Sequence, residues 1–323
     1  MAKNSLVYSN ARVKALENTF LTNEKIVRMA YSDGLEEGIK VLLESSYGGG
    51  IVVDAKDYDE ILQAEDKKIS EFVFDAMPDG QGMETFAVKS DYHNLKALVK
   101  GKYMRLDNVD FMLAPKGNLD PKEIKDLIYA DDYSTLSESM KKALLTIDSA
   151  RADGNTSPRF IDLTLDKACY VDIMAMLKKA KNKFMTAYWQ TNIDMMNISS
   201  FSRAGKVGNI ELFKESFIDC GKLDISFFNG ELQSVLDKLA YSPYPQIAES
   251  LKAGDMVAFE RIWDNTLINI FKEGRNDIFS VAPIAGFYVA KKIEIKIVRM
   301  ICILLKNDVD KDVIRDRLRE LYA

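Results

Sequence analysis

The chain has 323 residues, a formal net charge of −5 and 47% hydrophobic residues, enough to bury more than one core and too acidic to wrap nucleic acid with a basic face. Only 17 glycines and 7 prolines punctuate it, and that scarcity of helix breakers predicts an all-α protein. Cys169, Cys220 and Cys302 form no CxxC pair, and the most apolar run, IKIVRMICILLK at 295–306, is interrupted by Lys296 and Arg299 and shorter than the roughly 20 residues of a membrane span. With no apolar segment in the opening MAKNSLVYSN, these features lead to an expectation of a soluble or membrane-peripheral protein in a reducing compartment, with no disulfide framework and no zinc site.

In chain order, VYSNAR (7–12) supplies Asn10 and Arg12. A helix over 23–31 carries Ile26, Met29 and Ala30 and ends at MAYSD (29–33). Asp33-x-x-Glu36 fits a capping box that opens a second helix through Leu35, Ile39, Leu42 and Leu43. Irregular chain is expected at 48–56, where Gly48-Gly49-Gly50 makes a flexible turn, and at 77–85, with a helix over 58–75 between them. DYHNLK (91–96) opens an apolar helix with Asp91 and Asn94. GNLDPKEI (117–124) and the corner LIYAD (127–131) follow, with Thr135-x-x-Glu138 as the next box. A linker is expected at 148–159 and a helix over 165–180. DMMNIS (194–199) then repeats the pattern with Asp194 and Asn197, and GKLDISFF (221–228) leads to a third corner, LAYSP (239–243), where Ser242 caps and Pro243 starts the next helix. Helices over 256–272, 284–306 and 309–321 complete the chain. The second of these carries EIKIVR, with Glu294 and Arg299 in place but Ile297 where an Asn is expected, and the third begins at NDVDKDVI (307–314).

The three corners share a tyrosine, Tyr31, Tyr129 or Tyr241, and an aliphatic residue five places before it, Ile26, Ile124 or Leu236. Anchored on Asn10, Asn94, Asn197 and Ile297, the pattern recurs after 84, 103 and 100 residues. This is an internal repeat of helical units, divided as 1–80, 81–183 and 184–323, the last including the C-terminal signature helix and the final helix.

The chemistry-bearing residues are sparse. His93 is the single histidine and sits inside a helical pattern, so a partly exposed helix position outranks acid–base work. No phosphate-binding loop, HExxH, GxSxG or EF-hand loop occurs. Asp91/Asn94 and Asp194/Asn197 lie at i, i+3 and share a helix face. They could line a polar site. The preferred reading is a packing device, each Asn bonding between helices and each Asp staying at the surface, because a packing device recurs in every unit and a catalytic site rarely does. Phe184, Tyr188, Trp189, Phe279, Phe287 and Tyr288 read as core rather than a stacking platform for nucleic acid. Catalytic, cofactor-binding and metal-binding residues are all expected to be absent, and the candidate interface or packing set is Asn10, Arg12, Asp91, Asn94, Asp194, Asn197, Glu294 and Arg299.

YSNARVKALENTFLTNEKI (8–26) resembles the opening of the C subunit of V-type and A-type rotary ATPases, to which the d subunit of eukaryotic vacuolar ATPases is distantly related. LLESSYGG (42–49), DYHNLK, FIDLTLDKACY (160–170) and AKKIEIKIVRMICILLKNDVDKDVIRDRLRELYA (290–323) follow in the family's order, so the resemblance covers essentially the whole chain, Ile297 being the notable departure. It implies a funnel of three similar helical lobes with approximate three-fold symmetry. It also implies a non-catalytic rotor adapter without cofactor, at the cytoplasmic face of the membrane. Its partners would be the central-stalk subunits D and F and the membrane proteolipid ring, with no nucleic acid and no small-molecule substrate. The competing expectations are a generic helical-repeat scaffold for cytoplasmic proteins, and an enzyme built on His93 or a carboxylate pair.

Overall fold

Short polar side chains start most of the helices. In the computed structural model, which describes residues 5–45, 47–51, 54–77, 79–106, 108–114, 117–320 and 322, Ser5 caps α1 (Leu6–Leu16) and Thr22 caps α2 (Asn23–Ala30), each accepting a backbone N–H three residues on. That satisfies one of the donors a helix start leaves without a partner. Helix α3 (Leu35–Leu43) begins differently from the predicted box. Gly34 occupies its cap position at φ +101°, Glu37 rather than Glu36 accepts the Asp33 N–H, and the Asp33 carboxylate pairs with Lys311. Helix α4 (Tyr58–Ala76) closes the N-terminal segment.

The chain continues through α5 (Glu84–Met104), α6 (Pro121–Ala130), α7 (Glu138–Ala152), α8 (Pro158–Ala180), α9 (Lys183–Val207) and α10 (Glu211–Ser216). Asp120 and Ser157 cap α6 and α8, each with proline in the first turn. Ser137, not Thr135, caps α7. The expected linker at 148–159 shrinks to the residues between Ala152 and Pro158, because α7 and α8 both extend into it and α8 starts seven residues before the sequence pattern suggests.

The last part comprises α11 (Leu232–Leu239), α12 (Gln246–Lys252), α13 (Met256–Lys272), α14 (Ala282–Lys306) and α15 (Lys311–Asp316). Ser242 does not start α12. Its hydroxyl accepts the Tyr244 N–H at 3.0 Å, and helix begins only after Pro245. The final helix ends at Asp316, short of the expected 321. Every regular element among the described residues is helical, so the fold is all-α as the composition implied.

The chain forms two compact units, Met1–Pro78 with Leu236–Ala323, and Asp79–Val235, the boundary falling inside α11. In the first unit α14 is the central element, packing on α4 and α13 and receiving α1, α2 and α3. Eighteen of its 25 residues are buried, among them Phe287, Ile297, Val298 and Ile301. In the second unit α5, α7 and α8 pack together, α6 lies on α5, and α9 carries α10. Trp189 is buried there with its Nε1–H donating to Thr85 Oγ1 at 2.8 Å, and Phe201, Phe213, Phe217 and Phe228 form an aromatic cluster. Such buried edge-on rings add to the stability their area supplies. Phe287 and Trp189 are core as expected, whereas Phe279 is 75% exposed, because it lies on the loop before α14 rather than on a helix.

Candidate functional site

The repeated signature builds a backbone grip. On α5, Asn94 Oδ1 accepts the Ala114 N–H at 2.7 Å while its Nδ2 donates to the Ala114 carbonyl at 3.1 Å. One turn earlier, Asp91 accepts the N–H groups of Asn118 and Leu119 at 3.2 and 3.0 Å. On α9 the arrangement returns. Asn197 holds both backbone groups of Ile218, at 3.0 and 2.8 Å, and Asp194 accepts the N–H groups of Lys222 and Leu223, each at 3.0 Å. A side-chain amide matches a peptide's donor and acceptor together, and a carboxylate can only accept, which is why the pair is Asn and Asp and not two of either.

The approach of helix to loop is close. A Cβ on Gly117 would stand 1.9 Å from Asp91 Oδ1, and one on Gly221 would stand 2.1 Å from Asp194 Oδ1. The glycines of GNLD and GKLD are therefore part of the grip. The expectation that the aspartates stay at the surface is corrected. Asp91 and Asp194 are both buried, and their paired backbone donors offset the loss of water. The asparagines likewise bond loop backbone rather than a neighbouring helix. Burial raises the Asp91 carboxyl above its ordinary range, with the Leu119 and Asn118 N–H groups pulling the other way.

The first unit repeats the grip with its chain order rearranged. Glu294 on α14 accepts the N–H of Leu21 at 2.7 Å, and Thr22 caps α2 as Asp120 caps α6. FLT at 20–22 thus stands where NLD (118–120) and KLD (222–224) stand. The sequence pattern alone groups NDVDKDVI with those loops instead, on its capping aspartate, Asp310. Ile297 now has a physical account. The residue in register with Ala114 and Ile218 is Leu16, which ends α1 and whose carbonyl is taken by Thr19 Oγ1 at 2.7 Å. No loop peptide is presented there for an Asn to hold, and Ile297 is buried in an apolar position.

Lys291 supplies what the missing Asn does not. Its Nζ donates to the Thr19 carbonyl at 2.7 Å and to Glu294 at 2.8 Å, lies 3.7 Å from Glu65, and sits over the Phe20 ring. Glu65 in turn accepts the Gly48 N–H at 3.0 Å and pairs with Lys68. Glu65, Lys291 and Glu294 are all buried. Burial pushes the Glu294 carboxyl and the Tyr47 phenol up, the former offset by Lys291 and the Leu21 N–H. Gly48 is fixed rather than flexible. At φ +66° a Cβ there would meet the Ile61 carbonyl oxygen at 2.8 Å. Sequence reasoning found Glu294 but missed Lys291, Glu65 and Leu21. The available signal was the Leu-Thr of FLTNEKI, a helix-capping pair in register with the two Leu-Asp pairs.

The other candidates lie apart. Asn10 donates to the carbonyls of Ile278 and Ser280, at 3.0 and 2.9 Å. Arg12 stacks on Phe72 and pairs loosely with Asp75 at 3.9 Å, and Arg299 pairs with Asp59 at 3.2 Å. His93 is an exposed residue of α5 with Nε2 2.8 Å from the Met112 carbonyl. The three corner tyrosines are exposed, while Ile26, Ile124 and Leu236 before them are buried. Tyr31 donates to Asp312 at 2.8 Å. A surface groove of about 690 Å³ beside α7 and the start of α8 is lined by Glu138, Lys141, Leu145, Ser149 and Phe160, with no converging acid–base set. Among the described residues no group of three His, Cys, Asp or Glu could hold a metal, and no helix is long and apolar enough to cross a membrane.

This geometry ties loops to helices through paired backbone hydrogen bonds. Comparison with known proteins adds the context. Residues 9–317 match the family described as ATP synthase (C/AC39) subunit. The C subunit of the V-type sodium ATPase of Enterococcus hirae is 20% identical, over 97% of this chain and 98% of that protein. The C subunits of the A-type ATP synthases of Methanocaldococcus jannaschii and Methanosphaera stadtmanae are 24% and 26% identical, covering 90% and 91% of this chain and 80% and 82% of theirs.

Proposed function

Because the chain belongs to the ATP synthase (C/AC39) subunit family, we propose that it is the rotor adapter of a V-type or A-type ATPase. In this reading it is a non-catalytic subunit at the cytoplasmic face of the membrane. It joins the central-stalk subunits D and F to the proteolipid ring and passes torque between them. The observation that carries the reading is the family match along nearly the whole chain, supported by full-length similarity to a V-type sodium ATPase C subunit. Three similar lobes, divided near 80 and 183 and arranged about an approximate three-fold axis with the three tyrosine corners equivalent, belong to the same proposal.

The physical requirement is stiffness, since a compliant adapter would absorb rotation. The backbone grips support this role. Each fixes a loop to its signature helix through paired hydrogen bonds, part-buried on α5 and mostly buried on α9. The test is direct association. The purified chain should form one complex with the D–F pair and another with the detergent-solubilised ring. Absence of binding to both at micromolar concentration overturns the proposal. The alternative, a helical-repeat scaffold for other cytoplasmic proteins, predicts an open superhelix in small-angle scattering, where the adapter predicts a closed three-lobed particle.

A further inference from the structure

We propose that residues 6–21 form a strap that detaches from the first unit as a local unit, with Lys291 and Glu294 as its latch. This rests on the structure of the first unit alone and not on the adapter reading. The strap is poor in apolar anchorage. Helix α1 buries only Ser9, Asn10 and Val13 of its 11 residues, and the 3-10 turn Glu17–Thr19 buries none, whereas α14 beneath it buries 18 of 25. Besides Val13, apolar anchorage comes from Phe20, whose ring meets Phe287 and Tyr322 at 5.3 and 5.9 Å, and from buried Leu21.

What pins the strap is polar: Ser9 donates to the Ala76 carbonyl of α4, 67 residues on, and the remaining pins are more distant in sequence. Asn10 donates to two carbonyls of the loop before α14, Arg275 grips the Glu17 carboxylate at 2.9 and 3.3 Å, Lys291 takes the Thr19 carbonyl, and Glu294 takes the Leu21 N–H. These pairs are 258 to 273 residues apart, against 28 and 29 for the Leu119 and Leu223 grips. Other contacts of α14 with the N-terminal segment span similar distances, 226 residues for Lys292–Asp66 and 240 for Arg299–Asp59, so sparse apolar burial rather than distance in sequence sets the strap apart. Segments with few buried apolar contacts open first in the native state. Detachment lets water reach Lys291 and Glu294, which weakens their attraction, so the latch holds only while it is dry.

Hydrogen exchange on the full chain tests this. The amides of α1 and of Leu21 should exchange together, at least roughly tenfold faster than the Val298 amide of α14, with little dependence on low guanidinium concentrations. Lys291→Met should accelerate the strap amides by a further tenfold or more, leaving Leu119 and Leu223 unchanged. If that variant does not fold, Arg275→Gln, which cuts the less buried Glu17 pin, should give a smaller acceleration of the same amides. The proposal is overturned if α1 and Leu21 exchange at the Val298 rate, if they exchange independently of one another, or if the variant that folds accelerates α14 as much as the strap.

Discussion

The grips on α5 and α9 and the grip on α14 do the same job with different chemistry. Asp91 and Asp194 each hold a leucine N–H 28 or 29 residues downstream, and an Asn one turn on holds the same loop a second time. Glu294 holds a leucine N–H 273 residues upstream, and its companion is a lysine one turn back that reaches a carbonyl. The difference follows from what precedes each leucine. In the second unit it is irregular chain that presents a whole peptide, which an amide can match. In the first it is the end of a helix, which offers a carbonyl but no free N–H. The cost is a buried cation, and with it a need for Glu65 and Glu294 to balance it. The lesson is that a repeat keeps the contact to be made more strictly than the residue that makes it.

The largest effect is expected where charge is buried. Lys291→Met leaves the buried Glu294 carboxylate without its cation, while Glu65 keeps Lys68, and should cost about 3 kcal/mol of the first unit's stability. The two tryptophans separate the units as fluorescent probes, Trp263 in the first and Trp189 in the second. Denaturant titrations should therefore show the Trp263 transition displaced and the Trp189 transition unmoved. Equal displacement of both would mean that the two units do not unfold independently. Next is Asn197→Ala, which orphans the buried N–H and carbonyl of Ile218 together. About 2–3 kcal/mol should be lost from the Trp189 transition alone. Asn94→Ala should cost less, because its contacts with Ala114 are only partly buried.

Much of this is legible in the sequence, and the rest fails for identifiable reasons. Helices over 58–75, 256–272 and 284–306 match α4, α13 and α14 closely because long amphipathic periods decide them. The capping residues expected at 33, 135 and 242 are misplaced by one to three positions: Ser137 takes the place of Thr135, while α3 and α12 start at Gly34 and Pro245 without a side-chain cap, a choice that the backbone path makes. The Asp-x-x-Asn pairs are visible as a signature, but their burial is not. A carboxylate reads as surface unless its backbone donors are known, and those lie a loop away. Lys291 stands three residues before Glu294, its local partner, but its burial and its contacts with Thr19 and Glu65 depend on the other end of the chain.

Two substitutions sharpen the contrast at smaller scale. Ile297→Asn restores the expected signature in α14, yet should destabilise the first unit by about 1–3 kcal/mol, since the amide enters an apolar site with no loop peptide to bond. If it stabilises instead, Leu16 does present its backbone and the account of Ile297 is wrong.

His93→Gln should do least. His93 and Asn94 are neighbours on α5, but Asn94 faces the loop and is buried while His93 is exposed. Its hydrogen bond with the Met112 carbonyl asks only for a donor, which the Gln amide also carries. The stability change should stay within about 0.5 kcal/mol in the Trp189 transition. A large loss at this position, beside a small one for Asn94→Ala, would reverse the assignment of which side chain on α5 secures the loop.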